Sequence, residues 1–596
     1  MALLFAESRS RPARRPNSNP NLQPWRWTLL VIIGAVAVVI VLLRLWQLQV
    51  VNHDVYLALA SGQQEIYRQL FPKRGAIYAT EKSADGTVRQ IPLAINRRAY
   101  IVYANTREVS EPMKTAEALA GILDMPTEAL AAILSKPDDP YEPLKRRVSE
   151  DAAAGIKDLN LAGIGLQEMA ERFYPNNEIS SHILGFVSYQ DNSLVGQYGV
   201  EGSFDKILAG TAGAIRSEQD AKGVWIPMAD RQFIPAVDGA DLVLTIDWPI
   251  QFNACRALDE WVSRHGADGG SVVVINPQSG AILAMCGNPD FNPNIYNEAE
   301  KIAVFNNPAT FLEYEPGSIM KTMTMSAAID QQKVKPETTY NDTGEVKIGS
   351  YTIRNSDSKA YGLQTMVSVL QKSLNTGAIF AMRQLGAAAF QKYIDDFGFG
   401  ELTGIELDGE AMGDISRLSE KNEIYAATAS FGQGLTVTPL QMVAAYAALA
   451  NGGKLMKPYL VQKITHANGQ SEIHEPVAVR QVVSERTAAV VGGILVSVVE
   501  EGHGKRAGVP GYHLAGKTGT AQIPRKDGPG YEPGATIGSF IGYGPVENPR
   551  FAMIVRIDRP RDVQFAESSA APLFGKIAKF ILQYYEIPPR EVTTAP

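Results

Sequence analysis

The stretch Tyr314-Glu315-Pro316-Gly317-Ser318-Ile319-Met320-Lys321 runs directly into Thr322-Met323-Thr324-Met325-Ser326-Ala327-Ala328-Ile329. Pro316 and Gly317 mark a turn, and the residues after them form helix readily and carry almost no charge. The pattern predicts a buried helix with Ser318 in its first turn. A serine and a lysine three apart on a helix share one face. An uncharged Lys321 amine on that face can take the proton from Ser318 as its oxygen attacks a carbonyl. The unpaired N–H groups of a first helical turn, with the positive end of the helix dipole, suit an oxyanion on the substrate. The chemistry implied is acyl transfer through a serine ester. Ser-x-x-Lys alone is a weak signal, because a chain of this length contains about one match by chance, and an ordinary buried helix start is the competing reading.

Two downstream elements change the balance. Ser373-Leu374-Asn375 lies within Val369 to Ala378, and Lys517-Thr518-Gly519-Thr520 within His513 to Ala521. In isolation Ser373 and Asn375 read as helix capping or local backbone bonding. The ordered trio Ser-x-x-Lys, Ser-x-Asn, Lys-Thr-Gly, however, is a signature of penicillin-binding proteins and serine β-lactamases. The chain resembles the class B penicillin-binding proteins, membrane-anchored D,D-transpeptidases that cross-link bacterial peptidoglycan. Further segments carry the resemblance in order: Gly239 to Asp247, Ile275 to Met285, Phe431-Gly432-Gln433-Gly434-Leu435-Thr436-Val437-Thr438-Pro439-Leu440-Gln441, and Ser569 to Gly575. It extends over nearly the whole chain from about Arg44 onward.

The resemblance implies an α/β (α+β) transpeptidase domain of the penicillin-binding and serine β-lactamase type. Its core would be a five-stranded antiparallel sheet flanked by helices, with a helical subdomain holding Ser373 and Asn375 and the active site in the cleft between. A β-rich α+β pedestal domain and one transmembrane helix would precede it. It further implies that Ser318 is the nucleophile and Lys321 the acylation base. Burial and a nearby cation such as Lys517 would lower the Lys321 pKa. Asn375 would donate to the substrate amide and Ser373 relay a proton to the leaving amine. Lys517 and Thr518 would recognise the terminal carboxylate of a D-Ala-D-Ala stem. Gly519 would leave room for the substrate backbone, and the Thr520 N–H would join that of Ser318 as the oxyanion hole. Leu374 stands where the β-lactamase version has Asp. A β-lactamase reading is weaker, since no deacylating carboxylate is evident and an anchor with a long N-terminal domain suits a wall-synthesis enzyme.

The partners implied are peptidoglycan stem peptides and β-lactams, a polytopic membrane glycosyltransferase, and division-complex proteins, with no cofactor. A D,D-carboxypeptidase side activity fits the same site. Glu313 to Ser318 and Ser373 to Ala378 favour the division (septal) type over the elongation type. A non-catalytic penicillin-binding receptor or scaffold is the reading of a different class.

With 596 residues, 45% of them apolar and 20% charged, the chain has ample material for several folded domains. A net charge of −7 provides no basic footprint, which argues against nucleic acid. No Cys-x-x-Cys or His-Glu-x-x-His occurs, so no metal site is signalled. Cys255 and Cys286 read as two reduced, buried thiols, with a single bridge between them left open by the spacing.

Met1 to Gln23 is rich in Arg, Pro, Ser and Asn and reads as a disordered tail (1–24). Leu29 to Leu43 is an unbroken apolar run flanked by Trp25, Trp27 and Trp46, and a helix from Trp25 to Trp46 rises about 30 Å, the thickness of a hydrocarbon core. A retained anchor (25–46) is favoured over a cleaved signal peptide, because Ala58-Leu59-Ala60 lies well past the apolar run. The arginines before it put the tail in the cytoplasm and the rest outside, and the resemblance implies a bacterial inner membrane crossed once.

Residues 51–237 read as the pedestal, or dimerisation-type, domain, with a strand at Arg98 to Tyr103 and helices at Lys114 to Leu123 and Thr127 to Leu134. Arg74, Glu168, Arg172 and Glu201 stand in its family-like segments, and surface ion pairs of little energetic weight are the competing reading. Residues 241–586 read as the transpeptidase domain, with a hairpin at 271–285 and a last helix from Leu573 to Tyr584, and 587–596 as a tail. Ile523 to Gly534, with three prolines and three glycines, reads as a mobile loop that gates the cleft.

Overall fold

The computed structural model describes residues 24–47, 65–70, 72–82, 86–137, 139–190, 193–218, 232–420, 422–525 and 528–590. The expected disordered tail before residue 24 and the end of the C-terminal tail lie outside them. The chain divides into two compact units, one drawn from residues 1–71 and 212–236, the other from Pro72–Thr211 and Val237–Pro596. In the first, a 23-residue helix, Pro24–Trp46, coincides with the apolar run. Strand Gly213–Glu218 pairs antiparallel with both Glu65–Leu70 and Gln232–Ile234. Among the described residues no helix is long and apolar enough to cross a membrane.

The second unit is built on an antiparallel five-stranded sheet. Its strands in chain order are β1 (Gly269–Ile275), β2 (Ile282–Asn288), β3 (Ala515–Pro524), β4 (Tyr531–Gly544) and β5 (Phe551–Asp558). They lie in the order β2-β1-β5-β4-β3, so β3 is an edge. Side chains alternate along a strand, and both faces of this sheet are covered. Val272, Val274 and Ile557 face one core with helices α1 (Trp248–His265) and α6 (Ala570–Tyr584). Val273, Ile275 and Ile554 face a larger core with α2 (Lys321–Asp330) and α4 (Pro439–Ala450). Coverage on both sides explains the continuous apolar run of β1. The last helix packs as its pattern predicts, with Phe574, Ile577, Ala578 and Ile581 fully buried and Phe574 against Phe540 at 4.6 Å.

The cysteines correct the reduced-thiol reading, because Cys255 and Cys286 form a disulfide. The spacing is uninformative here. Packing of α1 on the edge strand β2 is what brings the two Cα atoms to 5.2 Å, inside the range a bridge needs.

A second sheet of seven strands contains Ile77–Lys82, Val88–Ala104, Glu142–Val148 and Ile164–Phe173. It also takes in Asp241–Asp247, which runs parallel to Ile77–Lys82 and antiparallel to Val461–Thr465. The chain that begins the α/β pattern is thus a strand of the pedestal's own sheet, and the boundary expected near 237–241 runs through continuous hydrogen bonding. Helices Pro112–Leu123 and Thr127–Leu134 pack Leu119, Leu123, Leu130 and Leu134 against Val102 and Val148.

The ion pairs expected at the surface are mostly buried. Glu201, fully buried, accepts from Arg172 Nε at 2.6 Å and from Arg74 at 2.7 Å, while Arg74 also reaches Asp205 at 2.7 Å. Tyr174 donates to the same carboxylate at 3.2 Å. Only Glu168 fits the surface reading, 3.5 Å from Arg98 with both exposed.

Candidate active site

The nucleophile turn differs from expectation in a way that helps the chemistry. Ser318 lies in a 3₁₀ turn, Gly317–Met320, and the α-helix begins at Lys321. In a 3₁₀ turn residues i and i+3 eclipse, and Lys321 Nζ stands 3.0 Å from Ser318 Oγ. Gly317 makes this possible with φ of +60°, where a Cβ would also meet the Thr520 carbonyl oxygen at 3.1 Å.

The turn is held from behind by the segment Phe431 to Pro439, which the sequence marked only as family-like. Gly317 N donates to Gly432 O at 3.0 Å, and Tyr314 and Val437 exchange two backbone bonds of 3.0 Å. A Cβ on Gly432 would sit 2.1 Å from Gly317 O. Tyr446 of α4 donates to Ile319 O at 2.8 Å.

Lys321, 1% exposed, reaches two further acceptors, Ser373 O at 2.6 Å and Ser373 Oγ at 3.2 Å. Lys517, fully buried on β3, approaches Ser373 Oγ at 3.1 Å from the other side, with Thr518 O at 3.1 Å and Thr518 Oγ1 at 3.3 Å. Ser373 bridges the two amines from a left-handed backbone, φ +56°, between helices Met366–Gln371 and α3 (Asn375–Leu385). Burial, then the charge of Lys517, hold Lys321 well below the usual lysine range. Burial alone pushes Lys517 down to about 7. Two buried amines with no counter-charge beside them both bind their protons less tightly, and Lys321 is the one in contact with Ser318 Oγ.

Ser318, Lys321, Ser373, Lys517 and Thr518 therefore form one constellation. Asn375 stands at the start of α3, where its Nδ2 donates to Arg354 O at 2.8 Å. Gly519 passes close under the turn, an added Cβ lying 2.9 Å from Pro316 O. Thr520 Oγ1 accepts from Ala566 N at 3.1 Å, with its carbonyl beside Gly317.

A network without any motif signature supports the Ser-x-Asn corner. Asp342, buried, accepts from Thr376 Oγ1 at 2.7 Å, Asn355 Nδ2 at 3.0 Å and Tyr361 N at 3.0 Å. Its members are spread over some thirty residues with no motif spacing, so only the fold joins them. Among the described residues no three His, Cys, Asp or Glu side chains are grouped to hold a metal ion.

Residues 270–579 match the penicillin-binding protein transpeptidase domain family, and residues 69–244 the penicillin-binding protein dimerisation domain. The chain belongs to the penicillin-binding protein transpeptidases. Among family members, stage V sporulation protein D of Bacillus subtilis is 35% identical over 572 residues, 95% of this chain and 86% of the relative. The peptidoglycan D,D-transpeptidase FtsI of Escherichia coli is 31% identical over 600 residues, 99% of this chain and 97% of the relative. Of solved structures, penicillin binding protein 3 of Mycobacterium tuberculosis complexed with aztreonam superposes with TM-score 0.67 at 26% identity, covering 88% of this chain and 98% of that one. A peptidoglycan synthetase from Bifidobacterium adolescentis gives TM-score 0.69 at 25% identity, covering 89% and 99%.

Proposed function

We propose that this protein is a peptidoglycan D,D-transpeptidase of the septal type, acting through a serine acyl-enzyme and acylated by β-lactams. The observation that carries the reading is the Lys321 amine, buried and depressed in pKa, 3.0 Å from Ser318 Oγ within the transpeptidase domain. Ser318 Oγ attacks the carbonyl of the penultimate D-Ala while Lys321 accepts its proton, and the terminal D-Ala leaves with a proton relayed through Ser373. An acceptor amine then attacks the ester and restores Ser318. Lys517, charged, and Thr518 bind the terminal carboxylate, whose arrival raises the Lys517 pKa and fixes that charge. Asn375 exchanges its bond to Arg354 for the substrate amide, and the backbone of Thr520 and Ser318 supplies the oxyanion site.

The helix Pro24–Trp46 is the membrane anchor in this reading. The described residues alone do not qualify it as a span, but the full sequence gives an unbroken apolar run from Leu29 to Leu43 flanked by tryptophans. The catalytic unit then lies outside the inner membrane, where it works beside a polytopic glycosyltransferase and division proteins, and residues 51–237 and 241–586 act as pedestal and catalytic domains. Membranes washed with carbonate should retain the protein, and its release would remove the anchor.

The decisive test is labelling with a fluorescent penicillin. The intact protein should label and Ser318→Ala should not, with melting temperature within a few degrees; label on the alanine variant would reject the nucleophile. A fluorescent fusion gathering at the septum supports the division role, and a side-wall pattern would move the assignment to elongation.

A further inference from the structure

Resting on the transpeptidase reading, a second layer of the site lies at Glu315, three residues before the nucleophile. Its carboxylate is half-buried and ties together segments that are distant in sequence. Oε1 accepts from Gly434 N at 2.9 Å, in the segment that clamps Gly317 from behind. Oε2 accepts from the Tyr531 hydroxyl at 3.0 Å. Tyr531 begins β4 and pairs with Pro524 of β3, four residues beyond Thr520. A parallel contact lies alongside, with Gln433 Nε2 donating to Gln522 Oε1 of β3 at 3.3 Å.

The geometry matters because the two halves of the catalytic apparatus sit on different supports. Ser318 and Lys321 belong to the turn and α2, whereas Lys517, Thr518 and Thr520 belong to an edge strand with a neighbour on one side only. An edge strand's outer end is held by whatever grips its hairpin. Here Tyr531 grips the hairpin, and the other end of that grip is Glu315, one proline and one left-handed glycine from Ser318. Burial lifts the Glu315 carboxyl, and its bonds from Gly434 and Tyr531 work against that lift. Such a group is stable where it is only while both donors remain.

We propose that Glu315 and Tyr531 form a latch that holds the β3–β4 hairpin in register with the nucleophile turn. They are positioning residues for acylation: neither touches the reacting atoms, and both fix the spacing between Ser318 and the Lys-Thr-Gly strand. Because misplacement of reacting groups lowers the chemical step, loss of the latch appears in the acylation rate constant at saturating β-lactam, not in pre-covalent binding.

Stopped-flow acylation of the full-length protein with a chromogenic β-lactam separates these two quantities. Tyr531→Phe removes one hydroxyl and should lower the acylation rate constant about tenfold, leaving the pre-covalent dissociation constant within about twofold and the melting temperature within a few degrees. Glu315→Gln retains an acceptor for Gly434 and an amide that can donate to the Tyr531 oxygen, so it should stay within about threefold of the unmodified protein, while Glu315→Ala falls as far as Tyr531→Phe or further. Glu315→Ala combined with Tyr531→Phe should be no slower than the slower single variant, the behaviour of one shared contact. A rate constant for Tyr531→Phe within about twofold of the unmodified protein would overturn the latch. So would a double variant whose losses multiply, or Glu315→Gln as slow as Glu315→Ala. An unmodified protein that is not acylated at Ser318 would instead reject the transpeptidase reading, so the two failures are distinct.

Discussion

Two clusters of buried charge in this molecule are built on opposite principles. At Arg74, Arg172 and Glu201 each charge has a counter-charge within 2.7 Å, with Asp205 and Tyr174 completing the set. At Lys321 and Lys517 two amines equally buried meet hydroxyl and carbonyl oxygens and share one of them, Ser373 Oγ. The first arrangement leaves each group charged: opposite charges hold the Glu201 carboxyl below its usual range despite burial, and raise Arg74. The second pushes both lysines down. Compensated burial fixes a joint between segments, whereas under the proposed mechanism uncompensated burial makes a base that is neutral when a nucleophile needs it and a cation waiting for a carboxylate.

The comparison is broken most directly by deleting one member of each cluster. Lys321→Met should reduce β-lactam acylation by about 10²–10⁴-fold, the range for a lost general base, and leave the melting temperature unchanged or higher, because it removes a desolvated amine. A large fall in melting temperature for this variant would show Lys321 to be structural. Glu201→Ala should do the reverse. It strands the buried Arg172 guanidinium and leaves Arg74 only Asp205, so unfolding free energy should drop by about 3–5 kcal/mol in chemical denaturation, while folded protein still labels at Ser318. A Glu201→Ala variant of undiminished stability would put that cluster on the same footing as the lysines.

Acidity sharpens the contrast with smaller effects. Acylation efficiency in the free protein should rise with pH as Lys321 loses its proton, then fall through about 7 as Lys517 loses the charge that binds carboxylate. A β-lactam ester without that carboxylate should lose the falling limb. Stability follows the same groups with its own sign. Lys517 is lowered by folding, so the unfolded chain binds more protons between about 7 and 10.5, and stability climbs across that window. Glu201, also lowered, contributes above the ordinary value of 4.5, and that contribution is lost as pH falls through its folded pKa. Melting curves that decline between pH 7 and 10 with no contribution from Lys517→Met would contradict the assignment.

The site was legible where chemistry sets short spacing, as in Ser318 and Lys321, and where the ordered motifs name Ser373 and Lys517. The sheet was legible where burial on both faces leaves an apolar run, as in β1. What escaped depends on tertiary approach. Arg74 and Glu201 lie 127 residues apart, and nothing local says that their pairing is internal. The cysteine bridge needs α1 on β2. Ile523 to Gly534 was read as loop from its prolines and glycines, yet Pro524 closes β3 and Tyr531 opens β4, with Pro533 and Gly534 inside the strand. Pro524 is tolerated because β3 is an edge, and Pro533 falls within the register shift between the pairs Gln522–Thr536 and Pro524–Tyr531. The connection shrinks to residues 525–530, of which Lys526 and Asp527 lie outside the described residues.

The contact between Gly432 and Gly317 bears on how such a target yields to selection. An alanine at 432 would place its Cβ 2.1 Å from the Gly317 oxygen, against main chain that has no side chain to rearrange. This support of the turn is written in backbone, and under the proposed mechanism a heritable change of one residue there unseats Ser318 before it alters anything an inhibitor would touch.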